Sequence, residues 1–337
     1  MEQKKVLLTG GLGYIGSHTA ISLLEKGYKV SVIDNLSNAK VNVKDSIERI
    51  SGCKIDFFKG DAGNRNDIEK VFKTFGQFYA VIHFAGFKAV GESVEKPLKY
   101  YLNNLESALE TINSAIKHNT KRFIFSSSAT VYGNTDKSPI DETFPLSATQ
   151  PYGETKLIIE DMLRGIVRAD NSFRVMLLRY FNPVGAHESG LIGEDPNGMA
   201  NNLMPYITRV ATGKLDHLTV FGNDYPTRDG TCVRDFIHVM DIAEGHTIAL
   251  DKIDEIEENP VAINLGTGSG VSVKELVDTF NEITNGSCKT IYGERRKGDS
   301  AECYANVKKA EQLLGWKAKR SIKDMCLSAY NYEKTHV

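Results

Sequence analysis

The stretch Val6-Leu7-Leu8-Thr9-Gly10-Gly11-Leu12-Gly13-Tyr14-Ile15-Gly16-Ser17 decides how the chain folds. Its apolar start predicts a strand and its end predicts the first turn of a helix. Gly10, Gly13 and Gly16 lie between and within these elements, in a Gly-x-x-Gly-x-x-Gly spacing close to the dinucleotide-binding fingerprint. Glycine permits a tight turn and leaves bare backbone where a pyrophosphate approaches a helix N-terminus. We therefore predict a dinucleotide site here, rather than a helix cap with no ligand.

An acidic residue follows the glycines at the distance that this site requires. Asp34 ends the run Lys29-Val30-Ser31-Val32-Ile33 and lies 18 positions after Gly16. A carboxylate there accepts a hydrogen bond from the 2′-hydroxyl of the adenosine ribose and repels a 2′-phosphate. The sequence therefore predicts NAD rather than NADP as the cofactor.

The composition is that of an ordinary globular protein. The 337 residues are 41% hydrophobic and 25% charged, with a formal net charge of −2, which gives no field to attract nucleic acid or an acidic membrane. The five cysteines are scattered and contain no Cys-x-x-Cys pair, so we expect neither a disulfide framework nor a metal site: they are Cys53, Cys232, Cys288, Cys303 and Cys326. We expect no membrane span and no signal peptide, because the first apolar run ends at Thr9. The cytoplasm is the expected compartment.

The first half of the chain alternates short β-rich runs with amphipathic stretches, which predicts an α/β fold with a Rossmann-type doubly wound parallel sheet. The predicted strands are Lys5–Thr9, Lys29–Ile33, Lys54–Phe58, Ala80–Phe84, Arg122–Ser126 and Arg174–Leu178. The predicted helices are Ile15–Lys26, Val43–Ile50, Arg65–Phe75, Pro97–His118 and Tyr152–Ala169. Ligands of such a sheet bind at the carboxyl ends of its strands.

The second half is less regular and predicts a smaller C-terminal α/β substrate domain. We place the NAD-binding domain at 1–182, with a return of the chain at about 236–265, and the substrate domain at 183–337. Pro183–Met199 is expected to be a loop, and the predicted elements are helices at Leu203–Thr212, Asp241–Lys252, Val273–Thr284 and Lys308–Leu314 and a strand at Val261–Leu265. Gly266, Gly268 and Gly270 follow that strand, and we interpret them as a turn because no acidic residue completes a second dinucleotide site.

A tyrosine and a lysine supply the predicted chemistry. Tyr152 and Lys156 are four residues apart, which places them on one helical face, and a nearby ammonium favours the phenolate of a general base. The preceding strand ends in Ser126-Ser127-Ser128, so the Ser128 hydroxyl is expected to reach the same reacting oxygen. The same spacing recurs in two pairs that we interpret as solvated helix faces: Tyr304 with Lys308 and Tyr330 with Lys334.

These residues resemble the extended short-chain dehydrogenase/reductase family, and longer runs are similar to its UDP-galactose 4-epimerases from about Lys5 to about Trp316. The runs are His83-Phe84-Ala85-Gly86-Phe87-Lys88-Ala89-Val90-Gly91-Glu92-Ser93, Arg179-Tyr180-Phe181-Asn182-Pro183-Val184-Gly185-Ala186-His187, Asn201-Asn202-Leu203-Met204-Pro205-Tyr206, Phe221-Gly222-Asn223-Asp224-Tyr225-Pro226-Thr227 and Val233-Arg234-Asp235-Phe236-Ile237-His238-Val239.

The resemblance implies a role for each matching position. Cofactor contacts are implied for Gly10, Gly13, Tyr14, Ile15, Gly16, Asp34, Asn35, Leu36, Ser37, Asn38, Asp61, Ala62, Phe84, Ala85, Gly86, Lys88, Asn103, Ser128, Tyr152, Lys156 and Phe181. Substrate contacts are implied for Lys88, Ser128, Tyr152, Asn182, Asn202, Leu203, Phe221, Arg234, Arg296, Asp299 and Cys303. The implied catalytic residues are Tyr152, Lys156 and Ser128.

Three positions depart from the family pattern, and one of them, Cys303, bears on specificity. Ala62-Gly63 replaces a bulky apolar residue beside the adenine, and Met199-Ala200 replaces an apolar residue and proline. Cys303 stands where some relatives carry tyrosine, which leaves room beside the C2 substituent of the sugar. Either N-acetylated UDP-hexosamines are accepted as well, or other wall residues fill the space.

The implied reaction inverts C4 of a UDP-hexose through a 4-keto intermediate. Two alternatives remain: a nucleotide-sugar 4,6-dehydratase, although Ala129-Thr130 after Ser128 offers no carboxylate for eliminating water, and a non-catalytic NAD-sensing regulator. The resemblance also implies a homodimer paired through the helices at Pro97–His118 and Tyr152–Ala169.

Overall fold

The computed structural model describes residues 3–135, 137–197, 202–296 and 298–336. The strands are β1 (Lys5–Thr9), β2 (Lys29–Asp34), β3 (Asp56–Lys59), β4 (Ala80–His83), β5 (Arg122–Ser128), β6 (Arg174–Tyr180), β7 (Asn182–Val184), β8 (Leu218–Phe221), β9 (Val233–Arg234), β10 (Phe236–His238), β11 (Val261–Leu265), β12 (Val271–Ser272), β13 (Thr290–Gly293) and β14 (Glu302–Cys303). The helices are α1 (Tyr14–Glu25), α2 (Asn42–Ser51), α3 (Arg65–Phe75), α4 (Val90–Glu95), α5 (Pro97–Lys117), α6 (Pro151–Ala169), α7 (Leu203–Ala211), α8 (Val239–Lys252), α9 (Val273–Thr284), α10 (Lys308–Leu314) and α11 (Ile322–Thr335).

A seven-stranded sheet in the order β11-β6-β5-β4-β1-β2-β3 confirms the Rossmann-type fold. β1 pairs in parallel with both β2 and β4, so the strand order reverses direction at β1. Ligands of doubly wound sheets bind at this switch point, outside the carboxyl ends of the strands. The glycine turn after β1 therefore lies where a dinucleotide is expected.

The chain divides into two compact units. The first comprises Met1–Gly133, Leu146–Arg179 and Ala243–Ile263, and the second comprises Asn134–Pro145, Tyr180–Ile242 and Asn264–Val337. The apolar core of the first unit lies on the sheet and includes Leu7, Val81, Phe123, Phe125 and Leu177, all fully buried. Their uninterrupted apolar runs agree with a parallel sheet that helices cover on both faces.

The second unit has a core of its own, in which α7, α9 and α11 surround short strands. Ile207, Leu276, Phe280 and Cys326 are fully buried there. Capping boxes fix the starts of two of these helices, since Ser272 and Glu275 exchange hydrogen bonds at α9, as Ser321 and Asp324 do at α11. Every helix in the described part of the chain is too short or too polar to cross a membrane.

Most predicted elements are present, with ends shifted by one or two residues. Shifts of two residues occur at the starts of β3 and α8 and at the ends of β5 and β6, and the longer β5 and β6 carry Ser128 and Tyr180 inside the sheet. Sequence patterning missed α4, α11 and the strands of two to four residues in the second unit. Such strands are too short to display a period.

Candidate functional site

The glycine turn forms a close backbone cradle at the start of α1. Gly10 has φ +67°, and a Cβ atom built on it would lie 2.8 Å from the backbone nitrogen of Ala85. A Cβ on Gly16 would lie 2.6 Å from the carbonyl oxygen of Gly10. Gly13 caps the helix with extended backbone and no side-chain hydrogen bond. The helix N-terminus is therefore presented through bare backbone, which fits the pyrophosphate of a dinucleotide.

Asp34, at the end of β2, lies beside this cradle and bonds its backbone. Its buried carboxylate accepts from the backbone N–H groups of Leu12 at 3.1 Å and Leu36 at 2.9 Å. Burial raises the pKa of Asp34, and the two backbone hydrogen bonds oppose that rise. Leu36 holds φ +62°, a strained conformation for a residue with a side chain, and strain of this kind concentrates at functional sites.

The loops that follow β2 and β3 are joined by a hydrogen bond. The Asn35 amide donates to the Asp61 carboxylate at 3.0 Å and accepts from the Ser37 N–H at 2.9 Å. Asn38 follows in the same loop, and Ala62 is buried beside Asp61. The structure therefore gathers the positions predicted for the adenine and its ribose at neighbouring strand ends.

The loop after β4 continues the cradle toward α5. The N–H groups of Phe84 and Ala85 bond Thr9, the last residue of β1. A Cβ on Gly86 would approach the amide oxygen of Asn104 to 3.1 Å. Asn103 lies beside that residue on α5, and its amide donates to the same oxygen. Lys88 places its ammonium 5.7 Å from the centre of the Tyr14 ring.

Asn104 is a site residue that sequence reasoning missed. Its buried amide bonds both the N–H and the carbonyl of Phe87, and it donates to Thr155 Oγ1 on α6 at 3.0 Å. The Thr155 hydroxyl in turn donates to the carbonyl of Tyr152. The loop after β4 and the start of α6 are therefore held together through one side chain. The position of Asn104 in the sequence, next to Asn103, does not indicate that its side chain connects this loop to α6.

The predicted catalytic residues lie together where β5 ends and α6 begins: they are Ser128, Tyr152 and Lys156. Lys156 Nζ donates to the carbonyl of Ser126 at 2.7 Å and lies 5.9 Å from the centre of the Tyr152 ring. Ser128 lies beside Tyr152, and its hydroxyl favours the phenolate, while its Oγ accepts from the Thr130 N–H at 3.2 Å. The serine predicted at the end of β5 and the tyrosine–lysine pair predicted on α6 are therefore neighbours in space.

The acid–base balance of this pair differs from the sequence-based expectation. Burial raises the pKa of Tyr152 to about 12, against the opposing hydrogen bond from Ser128. Burial also lowers the pKa of Lys156 to about 8, because a buried ammonium loses hydration. The phenol is therefore protonated near neutral pH in the protein by itself, and the phenolate expected from a nearby ammonium needs further positive charge. Lys156 Nζ donates to the backbone carbonyl of Ser126, and burial is the dominant influence on the pKa of the phenol.

The two other Tyr/Lys pairs are not equivalent to each other. Tyr330 and Lys334 share α11, with the ammonium 4.4 Å from the ring centre. Tyr304 precedes α10 rather than lying on it, so the interpretation of that pair as one helix face is wrong. Neither pair lies at the end of a strand of the large sheet.

In the second unit, several predicted substrate residues form one charged cluster. Asp299 is 3.0 Å from Arg296 Nε and 3.8 Å from an Arg234 guanidinium nitrogen. The Arg296 guanidinium lies 5.0 Å from the centre of the half-exposed Phe221 ring. Cys303 is the register partner of Arg234 across β14 and β9, and burial raises the pKa of its thiol. Two guanidinium groups against one carboxylate leave a positive excess, which suits a diphosphate.

The remaining substrate positions occupy different elements of this unit. Asn182 begins β7, and Phe181 immediately before it is buried. Asn202 caps α7, donates to Glu194 at 2.6 Å and precedes Leu203, the first residue of the helix. Met199-Ala200 and Asn201 lie outside the described residues.

The second glycine cluster binds a carboxylate of the chain itself. Asp235 is fully buried and accepts from the N–H groups of Thr267 at 2.7 Å, Gly268 at 3.1 Å and Ala305 at 3.0 Å. A Cβ on Gly266 would lie 2.5 Å from this carboxylate. The loop therefore has the amide-rich geometry of an anion site, and Asp235 fills it. This agrees with its interpretation as a turn, although nothing in the sequence pattern pointed to Asp235 as the partner.

A Rossmann sheet with this glycine cradle, an acid at the end of β2 and a Ser/Tyr/Lys group at β5 and α6 defines a short-chain dehydrogenase/reductase. A family profile described as GDP-mannose 4,6 dehydratase matches residues 7–328. The UDP-glucose 4-epimerase of Bacillus subtilis is 51% identical over 332 residues, covering 98% of this chain and 97% of the relative. By its sequence and fold, the chain belongs to the UDP-glucose 4-epimerases of the extended short-chain dehydrogenase/reductase family.

Two solved structures illustrate the likeness. The UDP-glucose 4-epimerase from Bifidobacterium longum, in complex with NAD⁺ and UDP, has a TM-score of 0.94 and 47% identity and covers 98% of both chains. The UDP-Glc/GlcNAc 4-epimerase from Campylobacter jejuni has a TM-score of 0.86 and 35% identity, covering 98% of this chain and 99% of that one.

Proposed function

We propose that the chain is an NAD-dependent isomerase that interconverts UDP-galactose and UDP-glucose. The observation that carries the proposal is the grouping of Ser128, Tyr152 and Lys156, in which Lys156 Nζ is held by the Ser126 carbonyl and lies 5.9 Å from the centre of the Tyr152 ring. A phenol and a hydroxyl at the carboxyl end of a Rossmann strand are the groups needed to move a proton at a sugar hydroxyl. The nearly full-length likeness to UDP-glucose 4-epimerases supports the same reaction.

The cofactor proposed for the first unit is NAD. Gly10, Gly13 and Gly16 would hold the pyrophosphate, and Asp34 would accept from the adenosine ribose. The crowding around Gly10 and Gly16 fits a ligand that approaches the backbone closely. When bound, NAD⁺ would supply the hydride acceptor that oxidation at C4 of the sugar requires.

The chain's own residues perform the proton transfer. Tyr152 as phenolate takes the proton of the 4-hydroxyl, and Ser128 bonds the same sugar oxygen. Lys156 contributes positive charge, which favours the phenolate. Because burial holds the pKa of Tyr152 at about 12, the phenolate needs positive charge close by. The same phenol returns the proton after the 4-keto sugar has turned over.

Substrate binding is proposed for the positive cluster of the second unit. Arg234 and Arg296 would bind the diphosphate, and Phe221 would pack on the uridine. Contacts to the nucleotide leave the sugar ring able to rotate, since the binding energy lies in the part that does not react. Asn182, Asn202 and Leu203 complete the proposed substrate contacts.

The 4,6-dehydratase alternative lacks a chemical group at the required position. The positions after Ser128 are Ala129 and Thr130, and Thr130 bonds back to the Ser128 hydroxyl. Neither side chain can act as the acid that eliminates water. A purely regulatory NAD-binding protein would not need Tyr152, Lys156 or the arginine cluster.

A coupled assay tests the activity. UDP-galactose is added to the purified protein, and a UDP-glucose dehydrogenase reports any UDP-glucose by absorbance. We expect absorbance to rise with wild-type protein and to stay flat with Tyr152→Phe. A flat trace with wild-type protein, while added UDP-glucose still gives a signal, would contradict the function.

The cysteine at position 303 supports a wider substrate range. A cysteine leaves more space than a tyrosine beside the C2 substituent, and a UDP-Glc/GlcNAc epimerase is among the similar structures. We expect turnover of UDP-N-acetylglucosamine to fall in Cys303→Tyr while turnover of UDP-glucose is kept. Equal rates of UDP-N-acetylglucosamine turnover in both proteins would show that other residues fill the space.

The proposed partner is a second copy of the chain, paired through α5 and α6. Leu98 and Leu102 are 67% and 51% exposed on α5, and Leu109, Ile116 and Ile158 are also exposed on these two helices. Such an apolar face is typical of a four-helix interface. Light scattering should give twice the chain mass for wild-type protein and a smaller mass for Leu102→Lys.

The proposed compartment is the cytoplasm. All five cysteines are free, and Cys53 is exposed, which suits a reducing environment. Fractionation of cells that produce the protein should recover it with cytoplasmic markers.

A further inference from the structure

Three consecutive serines at the end of β5 each meet a different residue of α6. The α6 residues are spaced four apart, so they share one face of the helix. The pairs are Ser126 O with Lys156 Nζ at 2.7 Å, Ser127 Oγ with Glu160 Oε1 at 2.6 Å, and Ser128 with Tyr152. The outer pairs belong to the proposed catalytic group, whereas the middle pair has no role in the chemistry described above.

The Glu160 carboxylate is held from several sides. It is fully buried and accepts from Arg179 through Nε at 2.9 Å and Nη2 at 2.6 Å. Arg164 bonds the same carboxylate at 2.6 Å. Arg179 lies near the end of β6, the neighbour of β5 in the sheet, and also bonds the hydroxyl of Tyr132. The guanidinium charges hold the pKa of Glu160 below its usual value, so it remains a carboxylate.

A bidentate pair of this kind fixes both partners in direction as well as distance. A movement of Glu160 would leave the buried Arg179 without its ion-pair partner. The Glu160 Oε1 atom that accepts from Ser127 is therefore held in place. Ser127 is covalently joined to Ser126, whose carbonyl accepts from Lys156, and to Ser128, which lies beside Tyr152. The middle contact therefore fixes the position of the other two.

We infer that Glu160, held by Arg179, is a positioning residue for the epimerase reaction and acts through Ser127 on the placement of Ser128 and Lys156 around Tyr152. The inference rests on the proposed function. Glu160 touches neither substrate nor cofactor in this scheme. Its effect is on the geometry of the proton transfer, and an error of about 1 Å in such geometry costs as much as 10²-fold in rate.

Ser127→Ala is the variant that tests this role. Replacing Glu160 leaves Arg179 unpaired in the core and threatens folding itself, whereas Ser127→Ala removes one hydroxyl and leaves the ion pair intact. We expect kcat with UDP-galactose to fall about 10-fold or more, with KM changed by less than about twofold and NAD content unchanged.

Ser114→Ala is the matched control. Ser114 is also fully buried in the first unit, and its hydroxyl donates to Glu69 at 3.3 Å, away from the proposed site. Both variants lose one buried serine–glutamate hydrogen bond, so a general loss of stability lowers the unfolding temperature of each. Only Ser127→Ala is expected to lose kcat.

The outcomes separate this inference from the function on which it rests. An active wild-type protein whose Ser127→Ala variant keeps kcat within twofold of Ser114→Ala contradicts the positioning role alone. A rise in KM with unchanged kcat contradicts it as well, since that is a loss of binding. Wild-type protein with no epimerase activity contradicts the proposed function and the positioning that serves it.

Discussion

Lys156 Nζ lies 5.9 Å from the centre of the Tyr152 ring, one turn away on the same helix. A positive charge beside a phenol favours the phenolate. Lys156 is therefore close enough to favour the phenolate, although burial dominates in the protein alone. The state of Lys156 should consequently control the activity.

The first prediction concerns the alkaline side of the pH–rate profile. The pKa of Lys156 is lowered to about 8 by burial, so its ammonium is lost as the pH rises through that value. We expect activity to decline above pH about 8, because the neutral amine no longer favours the phenolate. Lys156→Arg keeps its charge and should lack this decline, whatever its maximal rate. Profiles of kcat/KM that fall at the same pH in both proteins would contradict the assignment.

The second prediction concerns Tyr152. Removing only its hydroxyl in Tyr152→Phe should lower kcat by about 10²- to 10⁴-fold, the usual contribution of a general acid–base group. The ring and its packing are retained, so the unfolding temperature and the NAD content should match wild-type protein. Turnover close to that of wild-type protein would assign the proton transfer to another group.

The third prediction concerns the glycine cradle. Gly16→Ala places a Cβ 2.6 Å from the Gly10 carbonyl, so the loop must move and NAD should be lost on purification. Gly165→Ala, within α6, meets nothing closer than a flexible arginine nitrogen at 3.7 Å. This control should keep NAD and gain about 0.5–1 kcal/mol from helix propensity. Full NAD content in Gly16→Ala would show that the cradle tolerates a methyl group.

The fourth prediction concerns stability in acid. Glu69 pairs with Lys117 at 2.8 Å and His118 at 3.3 Å, and the pKa of its carboxyl is lowered to about 2 from an ordinary 4.5. Between pH 2 and 4.5 the Glu69 carboxyl is protonated in the unfolded chain but not in the folded protein. The contribution of Glu69 to the free energy of unfolding is therefore fully present above pH 4.5 and is lost as the pH falls toward 2. Glu69→Gln should therefore unfold more easily than wild-type protein at pH 7, and the difference should shrink toward pH 2. A constant difference across this range would contradict the account.

The sequence predicted the elements and residues whose signals are local. The apolar runs of β1, β2 and β4 and the glycine turn lie in continuous stretches, and each was located within a residue or two. Tyr152 and Lys156 are likewise neighbours along one helix.

Features that depend on distant contacts could not be read from the sequence. Asp235 acquires its role from Thr267 and Ala305, which are 32 and 70 positions away. Glu160 is four residues after Lys156, but its partner Arg179 becomes apparent only when β6 lies beside β5. The high pKa of Tyr152 depends on burial, which spacing does not report.

The central claim is that hydrogen leaves C4 of the sugar as a hydride and returns to the same carbon of the same molecule. UDP-galactose carrying deuterium at C4 tests it most directly, by mass spectrometry and NMR of the UDP-glucose formed in ordinary water. The account predicts that the deuterium is retained at C4 of the product. Product with deuterium replaced by solvent hydrogen at C4 would contradict it.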